Sequence, residues 1–318
     1  MTTHQATSPS PGRDAPADTA VERFVTLQSR LLDHYGVRAT SRFVDLARPA
    51  MRAHYLEAGE GEPLIFLHGG DGEAVNWAPL MAVLQHHAHI YAVDRPGFGL
   101  SDAFDYRQVD LRAHAAEFVD SLLAALGLSA ATVVGGSMGG FFALSAALDR
   151  PARIRRLVLA GYAAGTTREI GGLAQLCGTP GAPEAFMASR ASMEAQRSQY
   201  RDMFHIDPDT VPDLYFETRI AGLRLPSEQG TWATILPRLG TLEGLRPEVY
   251  LGDEVSRIGV PVLVISGDHD MAPVEAARDL ADRLPRGRFA FLPGIGHFPF
   301  LEAPEETGSL ITAFLRDS

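Results

Sequence analysis

The chain has 318 residues, 46% of them hydrophobic and 21% charged, a balance that suits a soluble globular protein of one large domain or two and is too apolar for a disordered one. Its formal charge of -11 and pI near 5.4, with no basic cluster to offset them, set a general repulsion against nucleic acid and anionic lipid, and no stretch approaches the ~18 to 20 apolar residues of a membrane span. The single cysteine, Cys177, can form neither an internal disulfide nor a thiolate metal site, so it reads as a small buried apolar residue and nothing points to an oxidising compartment.

Residues 1–20 are rich in Thr, Ser, Pro, Ala and Asp and lack the apolar centre of a signal peptide; they read as a disordered tail on a cytoplasmic protein. Val21, Phe24, Val25, Leu31, Leu32 and Tyr35 then keep a helical rhythm that stops at Gly36, which predicts a helix over 21–36. Short β-rich runs follow at Ser41 to Leu46 and Met51 to Ala58, and a nearly continuous apolar run, Pro63 to Leu67, suits a strand buried on both faces. Further short runs rich in Val, Ile and Leu lie at His89 to Val93, Ala131 to Val134, Ile154 to Ala160 and Val260 to Ser266, with a last strand at Arg288 to Leu292. Helical patterns at Leu111 to Leu126, Gly139 to Leu148 and Pro304 to Arg316 separate or follow them. Strands alternating with helices predict an α/β fold with a mostly parallel central sheet covered on both faces, formed by 37–162 and 258–318. The interval 163–257 breaks the alternation with scattered Met, Phe, Tyr and Trp, and a connection that long has structure of its own, read as an inserted helical cap.

The run Ala131 to Ser137 enters Gly135-Gly136-Ser137-Met138-Gly139 and leaves in an apolar helix, the G-x-S-x-G pattern in the strand-turn-helix setting that gives it meaning. A serine at the tip of so tight a turn leaves no room for side chains two residues before and two after it, and Gly135 and Gly139 remove those Cβ atoms. The free N–H of Met138 at the helix start can donate to an oxyanion. A second donor is expected from the loop after the third strand, His68-Gly69-Gly70-Asp71-Gly72, with Gly70 N–H the candidate. His68 reads as structural, and Asp71 either contacts substrate or caps a turn.

A serine hydroxyl needs a neutral imidazole as base and a carboxylate to orient it. Of eleven histidines, His297 alone follows the last predicted strand in a glycine-containing loop, Pro293 to Phe298. The acid belongs after the Val260 to Ser266 strand, where Gly267-Asp268-His269-Asp270 offers two carboxylates that spacing does not separate. No metal-ligand spacing and no phosphate or dinucleotide glycine pattern is present, so neither metal nor cofactor is expected.

Taken in order, His68-Gly69-Gly70, Asp94-Arg95-Pro96-Gly97-Phe98-Gly99-Leu100-Ser101, Gly135 to Gly139, and Gly296-His297 followed by Glu302 and Pro304 resemble the α/β-hydrolase superfamily from about residue 40 to the C-terminus. The resemblance implies that fold and selects Asp270, which precedes Pro273 at the family's spacing, with Asp268 as the alternative; it gives the Asp94 to Ser101 loop a part in shaping the site. Ser137 sets the chain apart from haloalkane dehalogenases and epoxide hydrolases, which carry aspartate there, and Asp71 from the proline usual in proline iminopeptidases. Carbon–carbon bond hydrolases of ring-cleavage products resemble Ser137 to Gly140 but commonly carry Asn at the position of Gly136 and Trp at that of Phe298. Carboxylesterases, lactonases, methyl esterases and cofactor-free perhydrolases share every motif.

The expectation is therefore a serine hydrolase acting through an acyl-enzyme on Ser137, with His297 as base and Asp270 as its orienting acid, on a small carbonyl substrate. Phe186, Met187, Met193, Tyr200, Met203, Phe204, Tyr215, Phe216 and Trp232 either roof an apolar pocket, with Phe298 beside them, or build the cap's own core. Two alternatives stand beside it: a carbon–carbon hydrolase using the same triad on a ketone product of ring cleavage, and a ligand-binding receptor or scaffold of the same fold with little turnover.

Overall fold

The computed structural model describes residues 15–70 and 72–317. Helix α1 (Ala15–His34) leads into strands β1 (Ala39–Ala47), β2 (Ala50–Ala58) and β3 (Pro63–Leu67), then α2 (Ala78–Leu84), β4 (His89–Val93), α3 (Leu111–Ala125), β5 (Ala131–Ser137), α4 (Met138–Asp149) and β6 (Ile154–Ala163). The helix thus begins six residues before the expected Val21: Pro16 falls in the first turn, where a missing N–H costs nothing, and the alanines around it favour the helix. The remainder of the expected tail, 1–14, lies outside the described residues.

Between β6 and β9 (Val262–Gly267) come α5 (Leu173–Gly178), α6 (Ala182–Ser189), α7 (Met193–Met203), α8 (Asp213–Gly222) and α9 (Thr231–Leu239). A hairpin of two-residue strands, β7 (Gly240–Thr241) and β8 (Gly244–Leu245), also falls there, where the sequence pattern showed no strand. The chain closes with α10 (Val274–Arg283), β10 (Gly287–Leu292), α11 (Pro299–Glu302) and α12 (Pro304–Arg316). Among the described residues no helix is long and apolar enough to cross a membrane.

Eight strands form one sheet in the order β1-β2-β4-β3-β5-β6-β9-β10, antiparallel at the β1 and β2 end and parallel from β4 onward. Side chains in the central strands alternate strictly between two cores. Ile65, Leu67, Tyr91, Val133, Leu157 and Val264 face α3, α4 and α10, while Leu64, Phe66, Ile90, Val134, Val158 and Ile265 face α1, α2 and α12. Burial on both faces is what made these strands read as continuous apolar runs.

Because the chain goes from β3 outward to β4 and then crosses to β5 on the other side of β3, the direction of winding reverses there, and a crevice opens at the carboxyl ends of the strands. Leu67 pairs with Gly135, so the loops leaving β3 and β5 emerge side by side; Leu292 pairs with Gly267, which does the same for the loops leaving β10 and β9.

Helix α1 lays Phe24, Leu27, Leu31 and Leu32 into the core that also holds Tyr215 and Phe216 of α8. Replacing fully buried Phe24 with Ala should cost about 3 to 4 kcal/mol in urea unfolding, whereas Val25→Ala, at a position 42% exposed, should stay within about 0.5 kcal/mol; equal small losses would place α1 outside the cooperative fold.

His114 on α3 stacks on Phe104 at 4.5 Å and meets Tyr106 and Phe142 edge-on, and burial pushes its imidazole down to about 4. It is neutral when folded and takes up a proton when unfolded below about 6.5, so its contribution is lost as pH falls from about 6.5 towards 4, at roughly 1.4 kcal/mol per unit. His114→Phe should reduce the acid slope of unfolding free energy in that window; an unchanged slope would contradict the burial effect.

Candidate active site

The last residue of β5, Ser137, adopts φ 52° and ψ −118°, a region that a residue with a Cβ occupies only when its surroundings enforce it. Here they do. A Cβ on Gly135 would lie 2.5 Å from the Gly139 carbonyl oxygen, and one on Gly139 would run into the Leu67 carbonyl. Both glycines were expected to be obligatory. Gly136 and Gly140 join them: a Cβ there would come within 2.9 Å of the Ala160 oxygen and 2.7 Å of the Ala163 Cβ. The turn thus jams Ser137 between β3, β6 and the start of α4, and its hydroxyl-bearing side chain lines a cavity.

The loops after β9 and β10 bring Asp270 and His297 together, both buried, with His297 Nδ1 donating to Asp270 Oδ1 at 2.6 Å. Asp270 Oδ1 also accepts from Met271 N at 2.6 Å, and Oδ2 accepts from Tyr162 N at 2.7 Å and the Ser266 hydroxyl at 3.4 Å. These donors hold the carboxylate in place, and its bond to the ring puts the proton on Nδ1 and leaves Nε2 as an acceptor. Asp268 is exposed and instead accepts from Gly294 N at 2.6 Å, tying the two loops together. The pairing therefore falls to Asp270.

His297 is clamped from both sides. Its own N–H donates to the Phe204 carbonyl at 3.1 Å, and the flanking N–H groups of Gly296 and Phe298 donate to Glu302 Oε2 and Oε1 at 2.8 and 3.0 Å. Burial pushes the Glu302 carboxyl up, against the pull of those two donors.

The loop after β3 supplies Gly69 and Gly70 to the same cavity, and a Cβ on Gly69 would lie 3.2 Å from the Ser137 Cβ. His68 is structural, as expected: Nδ1 donates to the Gly69 carbonyl at 2.7 Å and Nε2 accepts from Arg95 N at 3.0 Å. Burial, with the Arg95 charge beside it, holds its ring neutral. Arg95, which sequence reasoning passed over as part of a shaping loop, is fully buried and donates to the His68 carbonyl through Nε at 2.9 Å and to the Gly69 carbonyl through Nη2 at 2.8 Å. Met138 begins α4, where its N–H has no acceptor within the helix, and it lines the cavity, as Gly70 does.

The cavity is small, about 60 Å³, room for a few waters. Besides Ser137 and His297 its wall is largely apolar: Tyr162, Ile170, Leu173, Phe186, Met203, Phe204, Trp232, Leu236, Leu239, Leu245, Met271 and Phe298, with Gln199 the one amide. Of the residues proposed from sequence to touch substrate, Phe186, Trp232 and Phe298 line it. Met187 does not; its Sδ accepts a hydrogen bond from Arg190 Nη1 at 3.4 Å. Asp71 lies outside the described residues. Tyr200, Tyr215 and Phe216 pack with one another, and Tyr200 also with Phe298, in a core that Met193 packs against. A wider groove of about 880 Å³ shares the walls Tyr162, Ile170, Leu173, Phe186, Met203 and Met271 and adds a polar rim of Thr167, Arg168, Glu169, Asp202 and His205. Among the described residues no cluster of His, Cys, Asp and Glu could hold a metal ion.

A family model described as alpha/beta hydrolase fold matches residues 62–304, a span that contains every residue of this site. The 2-hydroxymuconate semialdehyde hydrolase of Pseudomonas sp. (strain CF600) is 29% identical over 285 residues, covering 86% of this chain and 94% of that one. The 2-hydroxy-6-oxononadienedioate/2-hydroxy-6-oxononatrienedioate hydrolase of Burkholderia vietnamiensis is 28% identical over 308 residues, 87% and 96% of the two chains. Among solved structures, carboxylesterase CesB from Bacillus subtilis matches with a TM-score of 0.75 at 23% identity, over 94% of this chain and 99% of that one. At that identity the likeness speaks for the fold.

The crowding at the turn is open to direct measurement. Gly139→Ala, which drives a methyl into a backbone carbonyl, should destabilise by about 2 to 3 kcal/mol or more, while Gly172→Ala, with open space around the added methyl, should be near neutral in the same thermal unfolding assay. Equal effects would show that the turn relaxes freely.

Proposed function

The chain belongs to the alpha/beta hydrolase family and is a hydrolase, and on that premise we propose that it cleaves carboxylic esters and similar carbonyl compounds through an acyl-enzyme on Ser137, with 163–257 acting as a cap over the core. Ser137 Oγ attacks the carbonyl carbon while His297 Nε2 takes its proton, and Asp270 holds the imidazolium that forms. The Gly70 and Met138 N–H groups receive the oxyanion. Collapse expels the alcohol, which takes the proton from His297; a water then gives a proton to His297 as it attacks the acyl carbon, and collapse of that second intermediate releases the acid while His297 returns the proton to Ser137 Oγ.

The observation that carries this reading is the wall of the cavity beside Ser137. Among its described residues there is no Arg or Lys, so the part of the substrate lodged there is uncharged and apolar. The inner space takes a short group, and the remainder of the substrate extends past Tyr162, Phe186 and Met203 into the outer groove.

Carbon–carbon bond hydrolysis is the second reading, favoured by the relatives named above, whose printed substrates include a muconate semialdehyde and dienedioates. Such compounds carry carboxylates, and among its described residues the inner cavity offers them no cation, the outer groove presenting Arg168 only at its rim; a side chain at Gly136, where such enzymes commonly have asparagine, would press on the Ala160 carbonyl. The receptor reading has no observation in its favour.

Hydrolysis of p-nitrophenyl acetate, butyrate and octanoate, compared with loss of absorbance of a ring-cleavage dienol, separates the two reactions. Ester turnover should exceed dienol turnover and favour the shorter acyl groups. Ser137→Ala and His297→Ala should each lower it by about 10³ or more, Asp270→Asn should lower it severely, and Asp268→Asn should leave it nearly unchanged. Preferred dienol turnover would install the second reading, and a fluorophosphonate that adds no mass at Ser137 would remove both.

A further inference from the structure

The peptide unit joining Gly69 to Gly70 has one end in the cavity and the other in a buried network. Its N–H belongs to Gly70, a wall of the cavity. Its carbonyl, on Gly69, accepts from Arg95 Nη2 at 2.8 Å and from His68 Nδ1 at 2.7 Å. Arg95 also holds the preceding carbonyl, that of His68, and its guanidinium sits 4.5 Å from the centre of the Phe98 ring and 5.1 Å from that of Phe142. A planar fork with two fixed donors, packed between rings, is a rigid support that an ammonium group could not reproduce. Burial lowers the guanidinium to about 10, with the Glu228 carboxyl opposing that shift, so it is a cation at neutral pH.

We propose that Arg95 is a positioning residue of the oxyanion hole, its guanidinium clamping and polarising the Gly69–Gly70 peptide so that the Gly70 N–H meets the developing oxyanion as a stronger, pre-aimed donor. The inference rests on the acyl-transfer reading, in which Gly70 is that donor. Hydrogen bonds to a peptide oxygen withdraw electron density from its N–H, so two donors on one carbonyl act in concert, and around the fully buried Arg95 the effect is screened less than it would be in water. The cation favours the negatively charged tetrahedral state over the neutral ester, which raises kcat and leaves KM little changed. The neutral ring of His68 supplies the second donor and carries no charge of its own.

The test uses Arg95→Met, which keeps the stem and removes charge and fork, and Arg95→Lys, which keeps the charge alone. Active sites are counted first by the mass gained from a fluorophosphonate at Ser137, so that misfolded protein does not enter the rate. Per titrated site, Arg95→Met should lower kcat for a p-nitrophenyl ester by about 10- to 100-fold with KM within about threefold, and Arg95→Lys should fall between it and wild type. Affinity for an alkylboronic acid, whose adduct on Ser137 bears the negative charge, should drop in parallel. Variants that lose stability yet keep kcat per site and boronate affinity within about twofold of wild type would make Arg95 a structural residue only and overturn the proposal. If neither Arg95 variant folds, His68→Leu removes the other donor to the same carbonyl, and unchanged boronate affinity relative to KM in that variant overturns it equally. A wild type without a Ser137 adduct would instead overturn the acyl-transfer reading and this inference with it.

Discussion

The structure turns on the contact between the end of β3 and the first turn of α4, where the Leu67 carbonyl lies so near Gly139 that no side chain fits between them. That closeness forces the backbone at Ser137 into its positive φ and lifts the serine out of the sheet. It also sets the β3 loop against the serine, so that Gly70 and Met138, from distant parts of the sequence, line one small space. Strain of this kind costs folding free energy and persists because strands buried on both faces over-determine it.

Much of this was legible in the residues, for identifiable reasons. The central strands betray themselves because each presents apolar side chains to both cores; Pro63–Leu67 and His89–Val93 match their apolar runs at both ends. The turn at Ser137 is legible because steric exclusion writes glycine into fixed positions. Spacing alone did not separate Asp268 from Asp270, because both follow the same strand; the family resemblance selected Asp270, and the meeting of two loops, with Gly294 N–H on one carboxylate and His297 on the other, gives the physical difference between them. In the insertion the apolar residues divide into cavity wall, such as Met203 and Trp232, and core, such as Tyr200 and Tyr215, and helical periodicity marks both alike. Arg95 was hidden for another reason: arginine is ordinarily exposed, and nothing in its neighbours announces that two carbonyls of a remote loop wait for it.

The loop from Asp94 to Ser101 proves to be a junction between the site and the insertion. Asp94 binds His54, Ala74 N and Leu100 N through its carboxylate, while Arg95 reaches the β3 loop. On its far side, Gly97 has no space for a side chain because Thr231 of α9 sits there, and the Gly99 carbonyl accepts from Ser227. A buried ion pair, Glu73 with Arg219 of α8, and the absence of a side chain at Gly222 complete the seam. The helices between β6 and β9 therefore bear on the same loop whose Arg95 holds the His68 and Gly69 carbonyls, and their seat and the geometry of the site are one packing problem.

The docking of α1 against α8 carries a consequence in time. About 180 residues of chain separate the two helices, and at a synthesis rate of roughly 5 to 20 residues per second the second emerges about 10 to 40 s after the first. Through that interval Phe24, Leu27, Leu31 and Leu32 lack the α8 surface, Tyr215 and Phe216 among it, that shares their core in the finished protein. Helix α1 is therefore fully covered only after α8 has been made, and through that interval the nascent chain carries an uncovered apolar stripe.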